Sequence, residues 1–460
     1  MEVGKSVPPV RSKWHPMRWL ASGENLPPLA DKNAIDQTYR RTRVSILASV
    51  ALGYGFLYTC RLPLAVVKKP LIDAGIFDAE TLGRVGSAFA VGYAFGKLAG
   101  GILADYANVR KLFSLCVLLS AVTNLLMLGS HSVWAWATLW FVNGWVQGSG
   151  SPCCGVSISN WFSIRERGRC YGIWSSSHSI GEGLTFVATS ALVAHFGWEA
   201  GFAGPGLFCL FVAMGLFITM RDRPETLMLP PVADWKNDHV NGQPQKTTVT
   251  GAGNKFGFLK HPAIWILALA AAAMYVSRYA INSWAMLYLQ EGRGYSMQEA
   301  GWMLGLNTTA GLLGCIVYGF LSDSVFHARR PPATLIFGLV EIFALMVIFY
   351  LPPSHTYLLS AAFVMFGFTL SGLLAVLGGL FAIDIAGRQS TGAAMGFIGT
   401  AGYLGVGLQE WVSGYLIKAG TTTIAGVKHY DFSKVILFWI GASVVSMLLA
   451  ALLWRAKVKE

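Results

Sequence analysis

Unbroken apolar runs recur along the chain, at 44–66, 112–130, 199–220, 262–290 and 434–454. Each has roughly the 20 residues a helix needs to cross a ~30 Å hydrocarbon core. Lipid offers no partner to backbone N–H and C=O groups, so only helices and closed barrels can span it. Barrel strands read as short alternating segments, and these runs are long and continuous. The expectation is therefore an all-α membrane protein embedded in a lipid bilayer. Composition agrees, since only 13% of the 460 residues are charged against about 25% in a soluble chain. The net charge of +12 fits lysine and arginine holding loops on the cytoplasmic side. No nucleic-acid partner is expected.

Turn residues and charges mark out twelve transmembrane helices, at 44–66, 82–106, 112–130, 134–158, 168–195, 199–220, 262–290, 298–321, 333–352, 356–384, 390–418 and 434–454. Positive pairs follow the second span (Arg110, Lys111), the fourth (Arg165, Arg167) and the eighth (Arg329, Arg330), and Arg455, Lys457 and Lys459 follow the last. The loops after the third and ninth spans carry no lysine or arginine. This alternation places both termini in the cytoplasm. Lys68 and Lys69, read as a loop after the first span, are an exception. The first forty residues are basic, with no apolar core of a cleavable signal. A polar segment rich in Pro, Gly, Asp, Asn and Lys at 222–260 reads as a linker. The organisation is a cytoplasmic N-terminal segment (1–43), a six-helix half (44–221), a cytoplasmic linker (222–260) and a second six-helix half (261–460).

The halves repeat. Gly101-Ile-Leu-Ala-Asp105 follows the second span with Arg110 just beyond, and Gly319-Phe-Leu-Ser-Asp323 follows the eighth; from 101 to 319 is an offset of 218 residues. Gly101, Asp105, Arg110, Gly319 and Asp323 are read as a conformational gate. Two pseudo-symmetric halves are a mark of secondary transporters, whose sites lie near the midplane between repeats.

Within the first span stands Tyr58-Thr-Cys-Arg61, and within the seventh Tyr275-Val-Ser-Arg278; from 61 to 278 is an offset of 217 residues. Spacing i, i+3 sets each tyrosine and arginine on one helix face. An arginine inside a span costs at least about 2.5 kcal/mol, so it faces a cavity or a partner. Neither span contains Asp or Glu. Two guanidinium forks facing each other across the central axis suit a multiply charged tetrahedral anion. The alternative is that each arginine pairs with a carboxylate on another helix or snorkels to an interface.

Other intramembrane polar residues are open to two readings each. Lys97 lines the cavity or snorkels. His178 packs, or shares charge or a proton with Glu182 four residues on. Glu182 and Glu410 pair with Arg61 or Arg278, or carry a proton. The seven cysteines lack metal-ligand spacing and read as small packing residues. There is no phosphate-binding Gly-x-x-x-x-Gly-Lys-Ser/Thr loop, nucleophile elbow or zinc cluster. Neither an enzyme nor a cofactor is expected.

These residues resemble the major facilitator superfamily and, within it, the organophosphate:phosphate antiporters. The resemblance runs from Ile35-Asp-Gln-Thr-Tyr-Arg-Arg41 to the twelfth span and is strongest at Asn143-Gly-Trp-Val-Gln-Gly148, Trp161-Phe-Ser-Ile-Arg-Glu-Arg-Gly168, Leu229-Pro-Pro-Val-Ala-Asp-Trp-Lys-Asn-Asp238, Arg278-Tyr-Ala-Ile-Asn-Ser-Trp284 and Gly399-Thr-Ala-Gly-Tyr-Leu-Gly405. It implies that Arg61 and Arg278 bind phosphate with Tyr54, Tyr58, Tyr275 and Tyr403 beside them, and that Lys97, Trp174 and His178 line the site. It also implies alternating access, exchange of an organophosphate for inorganic phosphate, a monomeric unit and a bacterial inner membrane. The chain departs from the family pattern at Leu62-Pro63, Ser151, Ser371, Met395, Ile398 and Glu182, the last in place of a glycine. Two other expectations are a sugar-phosphate sensor signalling to a kinase partner, and a proton-coupled anion symporter using His178, Glu182 or Glu410.

Overall fold

The computed structural model describes residues 19–237, 257–327, 330–352, 354–381, 391–424 and 427–455. Arg329, Lys457, Lys459, residues 1–18 and the linker stretch 238–256 lie outside the described residues. So do the side chains of Arg165, Asp323 and Arg455.

The apolar runs form helices, and polar residues at their edges set where these start. Asp31 caps α1 (Lys32–Thr59), Asp78 caps α3 (Ala79–Tyr106) and Asn108 caps α4 (Val109–Leu126), each accepting a backbone N–H of the first turn. After α5 (Val133–Gly148) and α6 (Gly150–Trp161), α7 (Ile164–Phe196) runs into α8 (Trp198–Thr219) through Gly197 alone. Its φ of 87° is open to glycine and costly for other residues. The second half comprises α10 (Pro262–Tyr279), α11 (Ala285–Glu291), α12 (Met297–Phe320), α13 (Arg330–Tyr350), α14 (Thr356–Ala375), α15 (Thr391–Ala419) and α16 (Ser433–Leu452). A reciprocal Ser296–Glu299 capping box opens α12.

Counting α2 (Pro63–Asp73) with α1, α6 with α5, and α11 with α10, the described residues make twelve helical passages. Nine are long and apolar enough to cross a membrane by length and composition. The others are the passage broken at Ser149, α7 with His178 and Glu182, and α15 with Gln409 and Glu410. Two of these therefore carry Glu182 and Glu410, while a third buried carboxylate, Glu341, lies in one of the nine. One departure from an all-helical chain is a hairpin of β1 (Thr421–Ile424) and β2 (Val427–Tyr430), antiparallel with Thr421 opposite Tyr430. Six cysteines are buried as packing predicts, but Cys315 is exposed on α12.

The linker is not free along its whole length. The short helix α9 (Val232–Lys236) docks on α1: Trp235 stacks on Tyr39 at 4.1 Å and donates to Asp36 at 2.6 Å. The Tyr39 hydroxyl donates to the Pro230 carbonyl.

Within the halves α3 packs on α5, α4 on α8, α12 on α14, and α10 on α15 and α16. The halves meet along α3–α15 and α7–α12. At the first of these seams Gly83 faces Gly414, and a Cβ at Gly83 would run into the backbone of Glu410 and Gly414. We call the side carrying the linker the terminal face and its opposite the distal face. Bonds between halves gather at the midplane and toward the distal face. There Lys418 pairs with Asp78 (2.9 Å) and Glu80 (2.8 Å), Lys69 with Glu291, and Lys428 donates to the Ile72 carbonyl (2.9 Å).

Candidate functional site

Arg61 owes its position to Pro63. Proline lacks an N–H and disfavours a helical residue before it, so the first passage breaks at residues 60–62 and resumes as α2. The break frees the Cys60 carbonyl, which accepts from the side-chain amides of Asn124 (3.0 Å) and Asn143 (2.9 Å). Arg61 is only 4% exposed. Its Nε donates to Gln147 at 3.0 Å, and Gln147 in turn donates to Ser120 at 2.7 Å. The guanidinium lies between the rings of Tyr58 (4.1 Å) and Tyr93 (4.5 Å), with Nη1 at 3.5 Å from the Tyr403 hydroxyl. Nη2 is buried with no hydrogen-bond partner, and Arg61 has no carboxylate partner among the described residues.

Arg278 closes α10, just before a π-helical turn at Ala280–Trp284. Both halves thus deform at or just after the arginine of Tyr-x-x-Arg. Buried Glu341 on α13 holds α10 from behind, accepting from Ser277 (2.6 Å) and from Ser443. Here the halves part company. Arg278 Nη2 donates to Glu182 on α7 at 2.6 Å, inside the protein, and Asn282 approaches the other carboxylate oxygen at 3.5 Å. Among the described residues, pairing with a carboxylate on another helix holds for Arg278 and not for Arg61.

Tyr403 on α15 joins the two sides. Its ring stacks on Tyr93 at 4.1 Å and stands 5.6 Å from Tyr275 and 6.3 Å from Tyr279. Tyr54 lies 5.5 Å from Tyr58 and 5.1 Å from Trp174, and Tyr58 lies 6.0 Å from the His178 ring. The Lys97 ammonium is 6.0 Å from the centre of the Tyr403 ring, toward the site rather than snorkelling away.

His178 and Glu410 each have two readings in the sequence. His178 directs Nδ1 to the Ser175 carbonyl and Nε2 to Ser179 at 3.4 Å, so its hydrogen bonds do not involve Glu182. Glu410 pairs with neither arginine. It takes Lys68 at 3.1 Å and Trp284 at 3.0 Å, with the Lys68 ammonium 3.4 Å over the Trp284 ring. Lys68 is therefore a fully buried residue of α2 and not a loop charge.

The motif after the second span sits at the terminal ends of the helices. Arg110 donates to the Phe217 carbonyl at 2.6 Å, and Asp105 is exposed. A Cβ at Gly101 or Gly319 would meet nothing within 4 Å. Tyr93, Gln147, Tyr279, Asn282 and Asn307 join the site without having been named as site residues, although Gln147, Tyr279 and Asn282 lie in stretches that carry the family resemblance. Tyr93 precedes Lys97 by one helical turn, and Gln147 and Asn307 are amides within apolar spans; those are the signals that point to them.

Two pockets flank this cluster. One of about 300 Å³ is lined by His178, Glu182, Arg278, Asn282, Asn307 and Ser371 among others. Another of about 370 Å³ reaches Arg61, Tyr279 and Glu410. Binding near the midplane between two repeated halves is the arrangement of secondary transporters. Residues 45–409 match the model of the Major Facilitator Superfamily. The chain belongs to that superfamily. As a major facilitator it is 32% identical over 399 residues to the membrane sensor protein UhpC of Salmonella typhimurium, covering 86% of this chain and 90% of that protein. It is 29% identical to the glycerol-3-phosphate transporter of Bacillus subtilis (92% and 95% covered) and 28% identical to a probable hexose phosphate transport protein of Chlamydia pneumoniae (82% and 86%). The resemblance drawn from the sequence is borne out by these relatives. Among solved structures, a bacterial homolog of the human lysosomal transporter Spinster, inward-facing and unoccupied, aligns with a TM-score of 0.72 at 17% identity, over 90% of this chain and 97% of that one. That likeness bears on the fold alone.

Proposed function

We propose that the chain is a secondary transporter that exchanges a phosphorylated organic anion, such as a sugar phosphate, for inorganic phosphate. The observation that carries this is Arg61, a buried guanidinium with Nη2 unpartnered and no carboxylate partner among the described residues. A buried charge without a counter-charge is costly, and a planar fork matches phosphate oxygens. Arg278 across the midplane is the second fork, and the tyrosines add hydroxyl donors. Relatives named for glycerol-3-phosphate and hexose phosphate support the class of cargo.

Rocking of the halves exposes the site alternately to the two faces. Arg110, Lys111, Arg221 and Arg223 on the terminal side support a cytoplasmic terminal face by the positive-inside rule. We take the setting to be a bacterial inner membrane. The arginines and tyrosines come from one chain, so a monomer suffices. The direct test uses the purified chain in vesicles preloaded with labelled phosphate. External glycerol, triose or hexose phosphate should release the label, and release by none of them would overturn the proposal. The relative named as a membrane sensor favours a second reading, in which a sugar phosphate is bound and reported to a kinase partner. Binding without release of label would select it.

A further inference from the structure

Glu182 changes what the two-arginine site can accept. It is 5% exposed, and it faces Arg278 from the other half at 2.6 Å. If phosphate engages both guanidinium groups, as the proposed exchange requires, it takes Glu182's place on Arg278. Glu182 then remains as a carboxylate inside the protein, and an uncompensated buried charge is strongly unfavourable. A cation carried by the organic cargo would offset that charge.

The pocket beside Glu182 is built to receive one. Asn307, 2% exposed, lines it with Oδ1 buried and lacking a partner. Thr308 spends its hydroxyl proton on the Leu304 and Gly305 carbonyls and so presents lone pairs. His178 faces the Ser175 carbonyl through Nδ1, which places the ring proton there and leaves Nε2 as an acceptor that the Ser179 hydroxyl already approaches at 3.4 Å. Acceptors therefore converge around a carboxylate. Lys97 does not line this pocket.

We propose that Glu182 is a specificity-determining residue that selects phosphate monoesters carrying a primary ammonium group. The inference rests on the phosphate-exchange reading. In it, phosphate bridges Arg61 and Arg278 while the ammonium replaces Arg278 as the partner of Glu182 and Asn307. No covalent bond changes.

The test compares 2-aminoethyl phosphate with 2-hydroxyethyl phosphate, and glucosamine 6-phosphate with glucose 6-phosphate, on the full chain in vesicles. Both binding and displacement of labelled phosphate are read. The amine of each pair should bind at least about tenfold tighter, the worth of one charge-assisted hydrogen bond. In Glu182→Gln that ratio should fall to about threefold or less, with the hydroxyl compounds binding more tightly because Arg278 is released from its carboxylate. Equal affinities within both pairs, in wild-type protein that exchanges phosphate, would overturn this proposal alone. So would a preference unchanged in Glu182→Gln. Equal affinities together with proton uptake on binding, lost in Glu182→Gln, would overturn it in favour of a proton on Glu182. If the wild type binds neither phosphate nor any of the four esters, the exchange reading falls and this one with it.

Discussion

At the scale of single residues, the site is two arginines of like origin and unlike circumstance. Arg61 is held by uncharged groups, namely Gln147, the Tyr58 and Tyr93 rings and the Tyr403 hydroxyl. Arg278 is already neutralised by Glu182. Arg61→Lys should therefore weaken phosphate binding more than Arg278→Lys. A lysine at 61 loses the fork and the planar stack, and we expect a loss of about a hundredfold, the worth of one or two charge-assisted bonds. A loss of about tenfold is expected at 278, where phosphate must compete with a carboxylate. Equilibrium binding of labelled phosphate to both variants checks the order, and a reversed order would contradict the asymmetry. The recurring Tyr-x-x-Arg is legible in sequence because recurrence itself is the signal. The Glu182 partnership is not. It depends on which face of α7 meets α10, and one chain read alone leaves both glutamates free to pair with either arginine. Tyr93 and Gln147 escape for a related reason, since neither has a like residue at the repeat offset.

At the scale of elements, the broken first passage places Arg61, and its stability rests on two amides. Asn124 and Asn143 both donate to the carbonyl freed at Cys60. Either alone keeps that buried carbonyl satisfied, while removing both leaves it unpaired, at about 1–3 kcal/mol. The Asn124→Ala and Asn143→Ala variants should each melt lower than wild type, Asn143→Ala the lower because Asn143 also accepts from Ser120 and Gln147. The double variant should lose more than the sum of the two. Thermal unfolding of all four proteins in one detergent measures the excess, and strict additivity would argue against a shared role. Span positions are largely readable, because length and apolarity are local properties. The sequence places the end of the first span at 66, since the next charges resemble a loop, yet α2 runs on to Asp73. Lys68 can be helical and buried there because Glu410, more than three hundred residues away, supplies the counter-charge. A window sliding along the chain has no access to that.

At the scale of the whole molecule, the two halves are locked together toward the distal face, and the Lys68–Glu410 pair is the buried part of the lock. Lys68 is fully buried and Glu410 is 3% exposed. Removing one partner of such a pair costs about 3–5 kcal/mol, comparable with the few kcal/mol separating two conformers of a protein. In Lys68→Met the orphaned Glu410 gains by reaching water, which it can do if the distal seam opens. Lys68→Met should accordingly shift the population toward a distal-open form. Ala74, just past α2, and Thr422, in the hairpin, are exposed and sit on opposite sides of the seam. Spin labels there, in a background with the seven cysteines replaced, report its width. Wild type should give one short distance, and Lys68→Met should add a longer one. Glu410→Gln placed on top of Lys68→Met removes the stranded charge and should bring the short distance back. That rescue separates an electrostatic lock from mere loss of packing, because a packing defect at position 68 would persist in the double variant. Unchanged distances in Lys68→Met, or a long component that survives Glu410→Gln, would mean that the seam is held by Lys418, Lys69 and the hairpin without help from its buried pair.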